Sequence, residues 1–357
     1  MEFGSTALMF ALIKLLGMKN LWFSDTQVTV PPMQQIEVIE GFKGPYGLHV
    51  FDDGTLYVAD AVGGYAVRYS RDLVRMGTLG SPTDAEFPHF VERDAMNRLL
   101  VPDHRNSWIK RYYEDGTFID MFSTGNADIA LMGPVHVFTN EAGTTFITDY
   151  HAHRILKFDP DGTFAGWIGE RADESLTDGW TMTGASKESA KPGGFTQPHM
   201  VAQDRVGNLY IADTGNHRIQ KFSADGKFLG FTGGMNVSAT SGWLKTGTTI
   251  LGRTVGFFNR PTAITFAKGQ TPSEDYLIVA DTENERLQRI AMDGNAIGWM
   301  GGIEGGGVTM GWESIGLSRI GAELGAFHNP FYAQLFEGKL YVADTGNKRV
   351  QIIPLNN

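Results

Sequence analysis

A short apolar phrase ending in aspartate recurs six times along the chain, and this recurrence limits the fold more than any other feature. It reads LYVAD to Asp60, LLVPD to Asp103, TFITD to Asp149, LYIAD to Asp213, LIVAD to Asp281 and LYVAD to Asp344. An arginine stands five residues after the aspartate in four copies, as Arg154, Arg218, Arg286 and Arg349. A proline precedes each unit: Pro45, Pro88, Pro134, Pro198, Pro261 and Pro330. Around the fourth copy, QPHMVAQDRVG, NLYIAD, HRIQKFS and KFLGFTGG read as four short alternating strands joined by tight turns. The 45 glycines supply the many turns such a chain needs. Six four-stranded antiparallel units predict an all-β fold, a closed six-bladed β-propeller.

The last unit stops at Pro354, after its third strand. The alternating segment QIEVIEG at residues 35–41 has no other partner, so it is expected to complete the last blade and seal the ring. The expected organisation is therefore an N-terminal extension, 1–34, and one propeller, 35–357. Within the extension, MEFGS resembles a cloning scar, and TALMFALIKLLGM is too short to span a bilayer, which takes about 20 apolar residues. No clear signal peptide is read there, so a cytoplasmic location is favoured. The segment is expected to form a helix that docks on the domain, on a protein partner or on a second copy, the alternative being attachment to a membrane surface. A net charge of −10 argues against phosphate-backbone binding to nucleic acid. The absence of cysteine excludes disulfides, thiolate metal sites and cysteine nucleophiles.

The phrase YIADTGNHRIQKF resembles the NHL repeat, whose propellers include both scaffolds and enzymes. The repeated Asp and Arg are expected to be structural, the carboxylate accepting turn amides and the arginine of the next strand. Connectivity puts the proline starts, the Asp-x-x-Asn turns and the connections between blades on one face. Three of those connections, 170–196, 233–259 and 301–329, run to some 25 residues, and loops that long are expected to act as lids or binding loops there. GGIEGGG, at 301–307, reads as a flexible lid segment. The tryptophans in or beside these connections (Trp167, Trp180, Trp243, Trp299 and Trp312) either stack on a ligand or anchor the loops to the blades.

Histidines map to the same face. His89 and His199 follow Pro88 and Pro198; His104 follows Asp103; Tyr150 and His151 follow Asp149; His217 lies in the turn of the fourth unit; His49 and His136 sit deeper. Imidazoles meeting on an axis suit a divalent metal with one open position. FPHFV, QPHMV and TDYHAHRILKF resemble the peptidyl-α-hydroxyglycine α-amidating lyases, NHL-like propellers in which three Pro-His starts from alternate blades hold a catalytic zinc. That resemblance implies His89 and His199 as zinc ligands and Tyr150 as the tyrosine beside the metal. The sixth unit departs, with Phe331 at the third ligand position and Tyr332 where an acidic residue accompanies the family's calcium site. A third ligand would come from His328, His49, His136, Glu304 or Glu323.

No G-x-S-x-G elbow, Walker loop or dinucleotide fingerprint is present. The expected function is a lyase or hydrolase with a His-lined axial site, acting on a small or peptide-like substrate. Its metal ligands would be drawn from His89, His199, His136, His49 and His328, for zinc or, failing that, calcium. Tyr150 and His151 would be catalytic, and His104, His217, Phe331 and Tyr332 would contact substrate. The alternatives are a non-catalytic ligand- or protein-binding scaffold and a structural subunit docked through its N-terminus.

Overall fold

The computed structural model describes residues 36–80, 86–122, 124–126, 129–235, 238–309 and 311–355. The N-terminal apolar segment, with its expected docking role, lies outside the described residues. No helix among the described residues is long and apolar enough to cross a membrane. Six antiparallel sheets follow one another in chain order as the blades of a propeller.

Blade four shows how the repeat builds a sheet. Its strands are Pro198–Gln203, Leu209–Asp213, Arg218–Phe222 and Phe228–Met235, each paired with the next. The second strand is buried at every position, because neighbouring blades cover both of its faces. This is why LYIAD is nearly uniformly apolar rather than alternating. The TGN that follows forms a 3-10 turn, and His217 leaves it in the left-handed region at φ 52°. Glu285 and Lys348 take the same conformation in blades five and six, both at φ 57°.

The aspartate and arginine are structural, as the repeat suggests. Asp213 accepts hydrogen bonds from the Thr196 amide (2.8 Å), Asn216 Nδ2 (2.9 Å), Arg218 Nε (2.7 Å) and Gln220 Nε2 (2.9 Å). Arg218 also donates to the carbonyls of Ala190, Lys191 and Gly194, so the knot ties down the connection that leads into its blade. Asp281 with Arg286 and Gln288, and Asp344 with Arg349 and Gln351, repeat the arrangement.

The closing strand is as expected. Glu37–Ile39 pairs antiparallel with Arg349–Pro354, Val38 lying opposite Gln351. Without it the last blade would offer a bare edge to other chains. Removing residues 1–40 is therefore expected to lower the thermal midpoint by about 5 °C or more. Calorimetry reads that loss, and light scattering reads the self-association that an open edge would bring.

The long connections depart from expectation. They begin and end on the face that carries the Asp turns, but they run down the outer edges of the blades instead of lying over the mouth. After blade three, Trp167 pairs with Thr181, and Glu170–Arg171 pairs with Ser186–Lys187. Phe231 pairs with Leu244 beside blade four, and Trp299 with Glu313 beside blade five. Each excursion thus adds a further strand to an outer edge. Trp180 and Trp243 anchor these strands, their Nε1 groups donating to the Ala224 and Met292 carbonyls of the following blade, each at 2.9 Å. The glycine-rich run at 301–307 is a tight hairpin turn, closed by the Ile303 amide on the Gly307 carbonyl at 3.0 Å.

Candidate active site

In blades one, three, four, five and six the ladder slips by one residue just after the proline, so the residue that follows it is a β-bulge. Blade two makes only a single bridge at this point, Pro88 to Asp103, before its inner strand resumes at Glu92. A bulge frees the backbone locally and re-aims the side chain. The six residues after the prolines are Tyr46, His89, Val135, His199, Thr262 and Phe331, and all six line one cavity of about 20 Å³ at the channel. Gly47 permits the close approach there, since a Cβ on it would stand 2.2 Å from the His89 carbonyl oxygen. The cavity has room for a water molecule or two.

Around this cavity the rings form a continuous cluster. His89 and His199 have centroids 6.2 Å apart; His104 lies 4.9 Å from His89, and Tyr150 lies 4.8 Å from His199. His104, Tyr150 and His151 complete the group, with mutual spacings of 5.3, 5.0 and 4.9 Å. Gly133, at φ 70°, makes this possible: a Cβ there would meet His151 Cδ2 at 2.6 Å and the His104 ring at 3.0 Å.

His104 and Tyr150 occupy a position that holds the ring together elsewhere. The residue after the repeat aspartate is Thr214, Thr282 or Thr345 in blades four to six. Each threonine hydroxyl donates to the carbonyl of the next blade's proline, Pro261, Pro330 or Pro45. Blades two and three replace that structural hydroxyl with an imidazole and a phenol, beside the two Pro-His histidines. His104 Nδ1 lies 3.2 Å from the Gly133 carbonyl oxygen. A carbonyl only accepts, so this contact places the proton of a neutral imidazole on Nδ1 and leaves Nε2 as a base.

Burial governs the titration of these groups. It pushes His89 well below the usual imidazole range, helped by His104 and His199, and takes His199 and His136 to about 3. It lowers His104 as well, the Gly133 contact opposing the shift. The inner histidines are therefore neutral at pH 7 and act as hydrogen-bonding groups rather than cations.

His89 Nε2, His136 Nδ1 and His199 Nδ1 line the cavity without hydrogen-bond partners. A catalytic zinc takes three protein ligands. Among the described residues no three His, Asp or Glu side chains come together as a metal site. The third corner is filled by the ring of Phe331, 5.5 Å from His199 and 6.4 Å from His89. The two Pro-His imidazoles therefore do not by themselves make the three-ligand zinc site that the resemblance implies.

The other sequence candidates lie elsewhere. His328 packs on Gly346 in the turn of blade six, and its amide donates to Asp344. His217 Nδ1 accepts the Arg260 amide at 3.1 Å, latching blade four to blade five. Glu304 pairs with Arg253, and Glu323 with Arg319. His49 stacks on Phe51 lower in the channel and faces Glu92 at 3.6 Å. Tyr332, by contrast, does line the cavity, packed against Phe90, and burial raises its phenol. Sequence reasoning missed Tyr46, which stacks on Phe331 at 4.4 Å, although it follows a proline just as His89 does.

The NHL repeat family matches residues 195–222, within the fourth copy. NHL repeat-containing protein 3 of Homo sapiens is 25% identical over 260 residues, 70% of this chain and 59% of that protein, so the match spans about three-fifths of the relative. Virginiamycin B lyase from Staphylococcus aureus superposes with a TM-score of 0.55 at 13% identity, covering 90% of this chain and 99% of that one. A gluconolactonase from Xanthomonas campestris gives 0.58 at 14% identity, covering 91% of each chain. Likeness at such identities speaks for the fold alone. Together with the six sheets and their shared turn, it shows a six-bladed β-propeller that carries an NHL repeat at residues 195–222.

Proposed function

We propose that the cluster at the mouth is the active site of a lyase or hydrolase acting on a small or peptide-like substrate by general acid–base chemistry. One observation carries this reading: where three blades spend the residue after the aspartate on a structural hydroxyl, blades two and three place His104 and Tyr150 beside His89 and His199. His104 Nε2 would take a proton from water or from a substrate carbon. The Tyr150 hydroxyl would donate a hydrogen bond or a proton to the departing oxygen, and the neutral inner histidines would orient the bound group. Two fold neighbours are named as a virginiamycin B lyase and a gluconolactonase, which makes virginiamycin B and a gluconolactone the first substrates to try.

The test is turnover of glucono-1,5-lactone and virginiamycin B by the wild-type chain, by His104→Gln and by Tyr150→Phe. Wild-type turnover is expected to survive dialysis against EDTA. The expected loss is about 10²–10³-fold in kcat for His104→Gln and a smaller one for Tyr150→Phe, with KM little changed. Wild-type rates in both variants, or no ring opening of either substrate by the wild type, would overturn the reading.

A further inference from the structure

Four of the outer crevices between blades are filled or bridged by a side chain, and a fifth differs. Between blades three and four the crevice is filled by Trp180, whose ring lies 5.8 Å from Phe146 and 5.5 Å from Lys157 Nζ, with its N–H on the Ala224 carbonyl. Between blades four and five Trp243 does the same, 5.5 Å from Tyr210 and 5.5 Å from Lys221 Nζ, with its N–H on the Met292 carbonyl. Beside blade five, Trp312 lies 5.5 Å from the Arg289 guanidinium. Between blades one and two Arg68 closes the gap, donating to the Glu114 carbonyl at 3.1 Å, which is the equivalent acceptor.

Among the described residues the crevice between blades two and three holds no tryptophan or equivalent plug; Phe122, 4.8 Å from Phe158 and 6.0 Å from the Arg111 guanidinium, fills it only in part. It is a cavity of about 240 Å³ lined by Leu100, Arg111, Phe122, Phe158, Pro160 and Gly162, among others. By strand register Leu100 stands where Phe146 does, Arg111 where Lys157 does, and Pro160 where Ala224 does. Arg111 is turned back onto Asp120 of its own blade. No hydrogen bond reaches the Pro160 carbonyl among the described residues. Among the described residues the outer strand Phe118–Met121 is likewise the edge of its sheet, with no further strand laid along it. The exposed Met96 and Met121 flank the opening.

We propose that this crevice is a docking site for an extended segment of a partner protein that carries a tryptophan. The chain's own copies define the occupant: a strand added to the outer edge, an indole in the cavity beneath a cation, and an indole N–H on the free carbonyl. Edge addition supplies backbone hydrogen bonds, and the pocket supplies selectivity for the ring.

The probe is the acetylated and amidated peptide DGWTMT, the sequence of residues 178–183, titrated into the full chain by calorimetry and by NMR. Saturable binding is expected, with shifts centred on residues 118–121. Replacing the peptide tryptophan by alanine should weaken it by about tenfold or more, and Arg111→Ala in the protein by several-fold. Arg111 lies at the surface beside an exposed Asp120, so the variant should keep its fold, which circular dichroism checks. Absence of saturation at millimolar peptide would overturn the proposal. So would equal binding of the alanine peptide, indifference to Arg111→Ala, or shifts centred elsewhere.

Discussion

Arg218→Ala is expected to lower the unfolding free energy by about 3–5 kcal/mol, measured by urea denaturation, because it leaves a buried carboxylate without its cation. Arg218 and Asp213 are both wholly buried. Once the guanidinium is gone, Asp213 keeps its amide partners, but the Ala190, Lys191 and Gly194 carbonyls lose a donor. The connection from 170 to 196 should then loosen, and limited proteolysis within it should accelerate. An exposed pair serves as the control: Arg71 and Glu337 are more than half exposed, and Arg71→Ala should cost about 1 kcal/mol or less. Equal costs for the two substitutions would contradict the structural role assigned to the knot.

Acidification from pH 7 to pH 5 is expected to destabilise the protein through its buried imidazoles. His136 and His199 are held neutral down to about 3 and His49 to about 4, all chiefly by burial. In the unfolded chain they titrate near the ordinary value of about 6.5. Below that pH the unfolded state takes up protons the folded state refuses, so stability is full above about 6.5 and falls as the pH drops. Each histidine contributes a slope of about 1.4 kcal/mol per pH unit, or about 2 kcal/mol by pH 5. His89, shifted in the same direction, adds to this. Glu92 works the other way: burial raises it to about 8, so its contribution to stability is present at low pH and is lost as the pH rises through that value. Stability curves against pH for His136→Phe and Glu92→Gln should therefore change slope in opposite senses. Parallel curves for wild type and His136→Phe would refute the assignment.

Much of the fold was legible because the same physical requirement is written six times. A strand buried on both faces must be apolar, its end needs a carboxylate to gather amides, and its start needs a proline, so LYIAD and its variants declare the blades. The closing strand was legible for a related reason, since an alternating segment at one end matched a missing strand at the other. His89 and His199 could be read from Pro-His. The significance of His104 and Tyr150 emerges only when the residues after the six aspartates are compared as Ala61, His104, Tyr150, Thr214, Thr282 and Thr345. The course of the long connections was misjudged because they carry no strand periodicity. A signal was nonetheless present in the recurring Gly-Trp of Gly179-Trp180, Gly242-Trp243 and Gly311-Trp312.

The slipped register after each proline has a consequence for how such a molecule changes over time. At the five slipped positions, and beside the lone bridge of blade two, the side chain is decoupled from the ladder that carries the sheet, so substitutions there alter the lining of the hole at little cost to the scaffold. The wheel behaves as a combination lock whose tumblers touch, so libraries that vary Tyr46, His89, Val135, His199, Thr262 and Phe331 together offer a compact route to new specificities.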